Sequence, residues 1–347
     1  MEIQVLDCTI RDGGYLTGKK FTDEWVNGVV NGLVKAKIDY IEVGFLQNRK
    51  KDETIVYGNA KEARKYIPSS KGISRFTGFA DNSRYSIDRL DDFDGQSFEN
   101  IRICFAKHEY IEALEFAAAA KRKGYHMFIQ PMDTMGYTLE ERNDLLSRVN
   151  DIMPDVVSVV DTFGSMYLED LRSVFCQMDE KLDRAVKIGC HSHNNLQLSC
   201  ALAEEFITLA VQADRSIVVD GSLLGMGRGA GNAPTEALVR YINEKHGKTY
   251  DLTALFDVID RYIEPLKKAV YWGYDLPMFI SGSTASHVDN IYYLRNHTDC
   301  SSGELYHVLD SMEVEKRKRY DFQYSKNDFT ETQKAYDRFR AEGNRMK

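Results

Sequence analysis

Short apolar runs alternate with longer stretches of helical period through the first 245 residues, and no other feature narrows the fold so far. The runs, rich in Val, Ile and Phe, fall at Ile3–Leu6, Tyr40–Val43, Phe76–Phe79, Ile101–Phe105, His126–Ile129, Val156–Val160, Val186–Cys190 and Ile217–Val219. Between them, Thr22–Lys37 sets Val26, Val29, Val30, Leu33 and Val34 on one helical face. Tyr110–Arg122 carries Ile111, Leu114 and Ala118, with Gly124 as a stop signal. Thr138-Leu139-Glu140-Glu141 reads as a capping box opening Leu139–Val149, and Leu168–Cys176 and Leu196–Val211 repeat the pattern. Eight strand–helix units in this length predict an α/β fold, one closed (β/α)8 TIM barrel rather than two open sheets. No tract of Pro, Gly and Ser reads as a linker before residue 246. After His246-Gly247-Lys248 the alternation stops and the chain reads as helical; Leu252–Ile263 is the clearest helix, and Pro265 ends or kinks it. The expectation is a barrel over 1–245 and a helical C-terminal extension over 246–347.

Hydrophobic residues are 43% and charged residues 28%, an ordinary globular balance. Lys+Arg number 45 against 53 Asp+Glu, a net charge of −8, which disfavours a nucleic-acid partner. No apolar run approaches the ~20 residues of a membrane span, and Met1–Val5 lacks the basic start of a signal peptide. A soluble, cytoplasmic chain is expected. Six cysteines are scattered without CxxC spacing; Cys8, Cys104 and Cys190 read as small buried hydrophobes. The run Lys316-Arg317-Lys318-Arg319, flanked by Glu313, Glu315 and Asp321, reads as a solvated helix face.

Barrel active sites form where strands end, so the polar residues after each run carry the functional reading. Strand 1 leads into Arg11-Asp12-Gly13-Gly14-Tyr15, which suits metal binding beside a fixed cation, or a plain Asp-Gly turn. Glu42 lies inside an apolar strand, so it pairs with a cation or serves a site. Asp161 follows strand 6 and competes as a helix cap. His191 and His193, two apart at a strand end, face the same way and offer two imidazoles to one cation. With Asp12 across the mouth they make a sensible set for Mn2+ or another divalent ion. The Gly-rich Gly225–Gly231 segment lets backbone approach a ligand closely, and Asn232 before Ala233-Pro234 is also a plausible N-cap.

Taken in order, Thr9-Ile10-Arg11-Asp12-Gly13, Ile41-Glu42-Val43-Gly44, Asp161-Thr162-Phe163-Gly164, His191-Ser192-His193-Asn194-Asn195 and Gly229-Ala230-Gly231-Asn232-Ala233-Pro234-Thr235-Glu236 resemble the metal-dependent aldolase/lyase/synthase superfamily (HMG-CoA lyase-like, pyruvate carboxyltransferase domain). The form of the last segment, with Trp272-Gly273-Tyr274 and Ile280-Ser281-Gly282, is most similar to the 4-hydroxy-2-oxovalerate aldolase branch. The resemblance implies Asp12, His191 and His193 as ligands of Mn2+ or Mg2+, with Asn232 reaching the metal. It implies Arg11 steadying an enolate and Thr162, with Asp161, Gly229 and Gly231, at the substrate. One departure stands out: where that branch carries a histidine base, four residues after the arginine, this chain has Tyr15, a poor base at its ordinary pKa of about 10.

The expected activity is therefore a carbon–carbon lyase acting beside a 2-oxo acid enolate, EC 4.1.3-like, taking a 2-oxo acid and an aldehyde. Glu42 is expected to orient Arg11, and Tyr15, His287 or a metal-bound water to act as base. The resemblance further implies a homodimer and an aldehyde dehydrogenase partner. The alternatives are an acyl-CoA-dependent Claisen synthase, a non-catalytic metal-binding barrel, and a Schiff-base aldolase using Lys187.

Overall fold

In the computed structural model, which describes residues 1–48, 52–318 and 330–345, every apolar run becomes a strand. They are β1 (Ile3–Asp7), β2 (Tyr40–Leu46), β3 (Arg75–Asp81), β4 (Asn100–Phe105), β5 (His126–Pro131), β6 (Val156–Asp161), β7 (Lys187–Ser192) and β8 (Ile217–Gly221). Each pairs in parallel with the next. β8 pairs with β1, Ile217 opposite Ile3, and the barrel closes. A two-residue strand, Val56–Tyr57, lengthens β2 on its outer edge. The chain is a (β/α)8 TIM barrel followed by helices.

Five of the barrel's α-helices stand where the 3.6-residue period lay, and a sixth, Thr235–His246, was not foreseen. A one-turn helix α1 (Thr9–Gly13) leads from β1, and α2 (Asp23–Lys35) buries Val26, Val29, Val30 and Leu33 under a Thr22 cap. α3 (Tyr110–Arg122), α4 (Leu139–Ile152), α5 (Leu168–Lys181), α6 (Ser199–Gln212) and α7 (Thr235–His246) follow β4 to β8. The Thr138–Glu141 capping box is formed, each side chain taking the other's backbone amide. Among the described residues, the expected helices after β2 and β3 are absent. A 3-10 segment, Ala60–Tyr66, and the short turn Ile87–Arg89 stand there. Ala60, Ala63 and Tyr66 are the buried positions of the first, a spacing of three that a 3-10 helix stacks on one side.

Beyond the barrel come α8 (Leu252–Val258), a π turn at Ile259–Ile263 and α9 (Glu264–Ala269), with Pro265 in its first turn. The widened turn precedes the proline, whose missing N–H costs nothing at a helix start. These residues, through Trp272, share the barrel's hydrophobic core. α10 (Leu276–Ser283), α11 (Val288–His297), α12 (Ser302–Asp310), α13 (Val314–Arg317) and α14 (Thr330–Arg345) build a second, smaller core around Met278, Ile291, Leu294, Leu305 and Leu309. Among the described residues, no helix is long and apolar enough to cross a membrane.

The charged run near residue 316 departs from its expected solvated face; Arg319 and Asp321 lie outside the described residues. Arg317 turns back onto the carbonyls of Leu309 and Asp310. Lys318 reaches the barrel mouth, where it pairs with Asp133 at 2.9 Å and lies over Phe163. A long side chain that finds a buried counter-ion leaves the surface.

The barrel interior is layered by side-chain parity. Leu6, Tyr40, Phe128, Val156 and Val218 pack its lower layer. Two residues further along, the same inward faces carry Cys8, Glu42, Gln130, Ser158 and Asp220, all buried. Apolar packing below and polar groups above place the chemistry at the C-terminal ends of the strands. Lys187 sits at the other end: its ammonium bonds Gln4 and Glu2. Four residues of strand separate it from His191, roughly 13 Å at the usual rise, so it is no Schiff-base lysine for this mouth.

Candidate active site

A buried charge network holds the upper layer. Arg11, on the single turn of α1, donates from Nε to Glu42 Oε2 at 2.6 Å and from NH1 to Asp12 Oδ1 at 2.9 Å. Its guanidinium lies 4.5 Å from the Phe79 ring centre. From β4, Arg102 donates to both oxygens of Glu42 at 3.2 Å and to Asp220 on β8. Two guanidiniums thus tie three carboxylates, Asp12, Glu42 and Asp220, with almost no exposure. Buried charges are tolerable only in such paired sets. Glu42 reaches both arginines from a strand that is irregular at that point: the β2–β3 register shifts between Glu42 and Phe45.

The two histidines converge on Asp12. Ligand atoms of Asp12, His191 and His193 lie within 4.8 Å of one another. Each imidazole is oriented by its other nitrogen, which a good metal site requires. His191 Nδ1 bonds Asp220 Oδ2 at 3.0 Å, and His193 Nδ1 bonds the Asp161 carbonyl at 2.8 Å. Burial holds both rings below the usual histidine range; at His191 the neighbouring His193, Arg102 and Arg11 push further the same way. They are neutral donors at physiological pH, the form a cation binds.

Asn232 completes this corner. It bridges antiparallel to His193 and donates from Nδ2 to Asp12 Oδ2 at 2.5 Å. Its Oδ1 is buried without a hydrogen-bond partner, an acceptor that a cation beside Asp12 would satisfy. The donor set of two imidazoles, one carboxylate and one amide oxygen fits a divalent ion.

Over these groups lies a cavity of about 110 Å3 lined by Arg11, Asp12, His191 and His193 on one side and by Tyr15, Phe79, Gln130, Thr162, Arg228 and His287 among others. It is small against the roughly 300–1,000 Å3 of a drug-sized ligand site. His287 and Val288 come from the extension, so the second core helps roof the barrel. Thr162 lines the wall and accepts the Asp133 amide at 2.7 Å. Tyr15 packs edge-on against Phe45. Burial pushes its phenol up to about 12, outweighing the nearby Arg11 and Arg228. The cations do not make it a base. His287 accepts the Asp289 amide through Nδ1, and burial, with Arg228 beside it, pushes it down to about 3.

Three residues expected at the substrate stand elsewhere. Asp161 is absent from the cavity wall; its carboxyl caps the loop by accepting the Ser165 and Met166 amides, and burial raises it to about 7. Gly229 and Gly231 also lie off the wall. Gly231 has φ +82, and a Cβ there would come within 1.9 Å of the Gly225 carbonyl, so it serves the loop's own crossing. Cys104 is buried in the barrel's core as expected and also lines the cavity, its thiol pushed well up by burial. Arg102 and Asp220 escaped the sequence reading. A charged residue within Ile101–Phe105 and an Asp directly after Ile217–Val219 carried the same signal as Glu42.

The HMGL-like family matches residues 2–261. An oxaloacetate decarboxylase from Mycobacterium tuberculosis is 30% identical over 257 residues, 73% of this chain and 74% of that one. A 4-hydroxy-2-oxovalerate aldolase from Thermomicrobium roseum is 26% identical over 276 residues, 76% and 73%. Among solved structures, the HMG-CoA lyase from Bacillus subtilis covers 76% of this chain and 93% of its own at 16% identity, with a TM-score of 0.60, a likeness of fold.

Proposed function

The chain belongs to the HMGL-like family, and on that footing we propose a divalent-metal-dependent carbon–carbon lyase that leaves a pyruvate-type enolate from a 2-oxo acid. The observation that carries this is the convergence of Asp12, His191 and His193 beside a guanidinium that cannot turn away. When bound there, Mn2+ or Mg2+ would supply Lewis acidity toward the keto group. Asp12, His191, His193 and Asn232 would hold it, and Asp220 and the Asp161 carbonyl keep the imidazoles aimed.

Arg11 faces the cavity as a preorganised donor for the oxygen that gains charge when the bond breaks, a role worth about 3 kcal/mol in comparable oxyanion sites. Glu42 orients it and moves no proton. Two cations against three carboxylates leave this network one negative charge; a divalent ion makes it one positive, which complements a monoanionic 2-oxo acid. Thr162 lies where it can donate to the substrate carboxylate. The proposal keeps the division into a catalytic barrel, 1–245, and a C-terminal extension, 246–347, from which His287 and Val288 reach the cavity, and a cytoplasmic homodimer.

Two leaving groups suit such a site. Aldol cleavage requires a base for the 4-hydroxyl proton as the aldehyde departs. Decarboxylation of a 2-oxo acid bearing a carboxylate on the next carbon releases CO2 and requires none. Tyr15 at about 12 and His287 at about 3 are both poor bases near neutrality, and this favours decarboxylation, the activity in the name of the Mycobacterium tuberculosis relative. An aldehyde dehydrogenase partner belongs to the aldol arm alone. The test is pyruvate release, above the free-metal blank, from oxaloacetate and from 4-hydroxy-2-oxovalerate with Mn2+. Release from oxaloacetate, lost in His191→Ala, is expected; no release from either overturns the proposal.

A further inference from the structure

Gln130 is a polar residue on the cavity wall that neither the metal corner nor the Arg11–Arg102 network uses. It follows the apolar run His126–Ile129 on β5, and Pro131 after it holds its backbone extended. Phe128, two residues back on the same inward face, belongs to the lower apolar layer, so strand parity carries the Gln130 side chain into the mouth. It is 3% exposed and lines the cavity; the little surface it keeps opens there. β5 stands across the closed barrel from β1, the strand that leads into Arg11 and Asp12. The neighbouring strand β6 brings Thr162 to the same cavity.

One end of the amide is anchored. Nε2 and the Ser158 hydroxyl on β6 lie 2.6 Å apart. β7 makes room for that hydroxyl, since a Cβ on Gly189 would come within 2.2 Å of it. Ser158 is buried and off the cavity wall, so its proton needs an acceptor inside the protein. Among the described residues, Gln130 is the one hydrogen-bond partner of that hydroxyl. The oxygen and nitrogen of a carboxamide have the same shape, and the hydrogen bonding decides between them. With Oε1 turned to Ser158 the serine proton is accepted, and the Nε2 hydrogens face the cavity. A buried amide bonded at one end costs free energy at the other until something polar meets it.

We propose that Gln130 is a substrate-binding residue, its amide donating to a carboxylate oxygen of the 2-oxo acid. This rests on the 2-oxo acid reading of the same cavity, and it assigns a donor on the wall across from Arg11 and Asp12. The donor is neutral, so it adds a hydrogen bond to an anion and leaves the charge balance of the mouth unchanged. A glutamate in its place has the same shape and accepts the Ser158 proton equally well, yet it turns an oxygen on the substrate.

The test is titration calorimetry of oxamate, an unreactive isostere of pyruvate, on the full chain loaded with Mn2+. The titrations are run at pH 8, well above a glutamate's ordinary range. Gln130→Met removes the donor and should weaken oxamate about tenfold or more, the scale of a hydrogen bond to a charged group. Gln130→Glu, which keeps the size and the bond to Ser158 if the methionine variant folds poorly, should weaken it at least as far. Mn2+ alone should bind both variants within about twofold of wild type, which a general loosening of the barrel would not allow. Oxamate held within about twofold of wild type by either variant, or Mn2+ affinity lost in parallel with oxamate, overturns the proposal. No oxamate binding to the Mn2+-loaded wild type refutes the 2-oxo acid reading and takes the subsite with it; binding that the variants keep refutes the subsite alone.

Discussion

Replacing Arg102 by methionine tests the buried charge network as a whole. Arg102 is 1% exposed and touches Glu42, 0% exposed, and Asp220, 3% exposed. Methionine fills most of the volume but removes the charge. Glu42 keeps Arg11 at 2.6 Å; Asp220 keeps the neutral His191 as its hydrogen-bond partner and feels Arg11 only at a distance. Leaving one buried carboxylate without its cation costs about 3–5 kcal/mol. At about 2.1 cal/mol/K per residue the unfolding entropy of 347 residues is roughly 0.7 kcal/mol/K, so the melting temperature should fall by about 4–7 °C. A second effect follows at the metal corner. Arg102 is among the charges that depress His191; without it the ring gains a proton more readily, beside a carboxylate that welcomes one. Mn2+ affinity should drop about 10- to 100-fold. Thermal melts and Mn2+ calorimetry measure the two. Arg102→Met with Asp220→Asn removes the stranded charge and should recover part of the lost stability. A melting temperature within a degree of wild type, or a double variant less stable than the single, would refute the network as described.

Arg11→Lys keeps the charge but not the fork that holds Glu42 and Asp12; kcat should fall about 100-fold with little change in KM, and a near-normal kcat removes Arg11 from the transition state. His287 has a folded pKa of about 3 against about 6.5 unfolded. The unfolded chain therefore takes up a proton the folded one refuses, and stability falls by about 1.4 kcal/mol per pH unit from about 6.5 downward toward 3. His287→Asn keeps an acceptor for the Asp289 amide and should flatten that slope in melts between pH 6 and 4; an unchanged slope counts against the burial. Tyr15→Phe should slow turnover without moving the basic limb of the pH–rate profile, since a phenol at about 12 does not titrate there; a displaced limb would restore Tyr15 as a base.

The barrel was legible because its two periods, 2 and 3.6, are written into long stretches of chain. Val26, Val29, Val30 and Leu33 cannot share a face on anything but a helix, and all four are buried. The 3-10 segment at Ala60–Tyr66 was missed because a spacing of three over seven residues leaves too little pattern to separate from loop. The metal corner was legible from His191 and His193 because strand parity needs only local sequence. Asn232 was readable only through resemblance, since what brings it to His193 is a bridge between strand end and loop.

Tyr15 shows where local reading stops. Its residue type and spacing raised a question about the base, and two nearby arginines were the obvious means of lowering its pKa. Both are present in the structure, yet the direction is upward, because burial outweighs them. Each arginine is already engaged, Arg11 with Glu42 and Asp12 and Arg228 with Asp289. Both still pull the phenol downward, but less than burial of its charged form pushes it up. That balance depends on residues 31 and 61 positions from their partners, and no window of sequence contains it. The consequence runs to function: with Tyr15 held neutral, it serves the cavity as a ring against Arg228 and a hydroxyl donor. The chemistry that fits such a wall is one in which a carboxylate is recognised and no hydroxyl proton has to be removed.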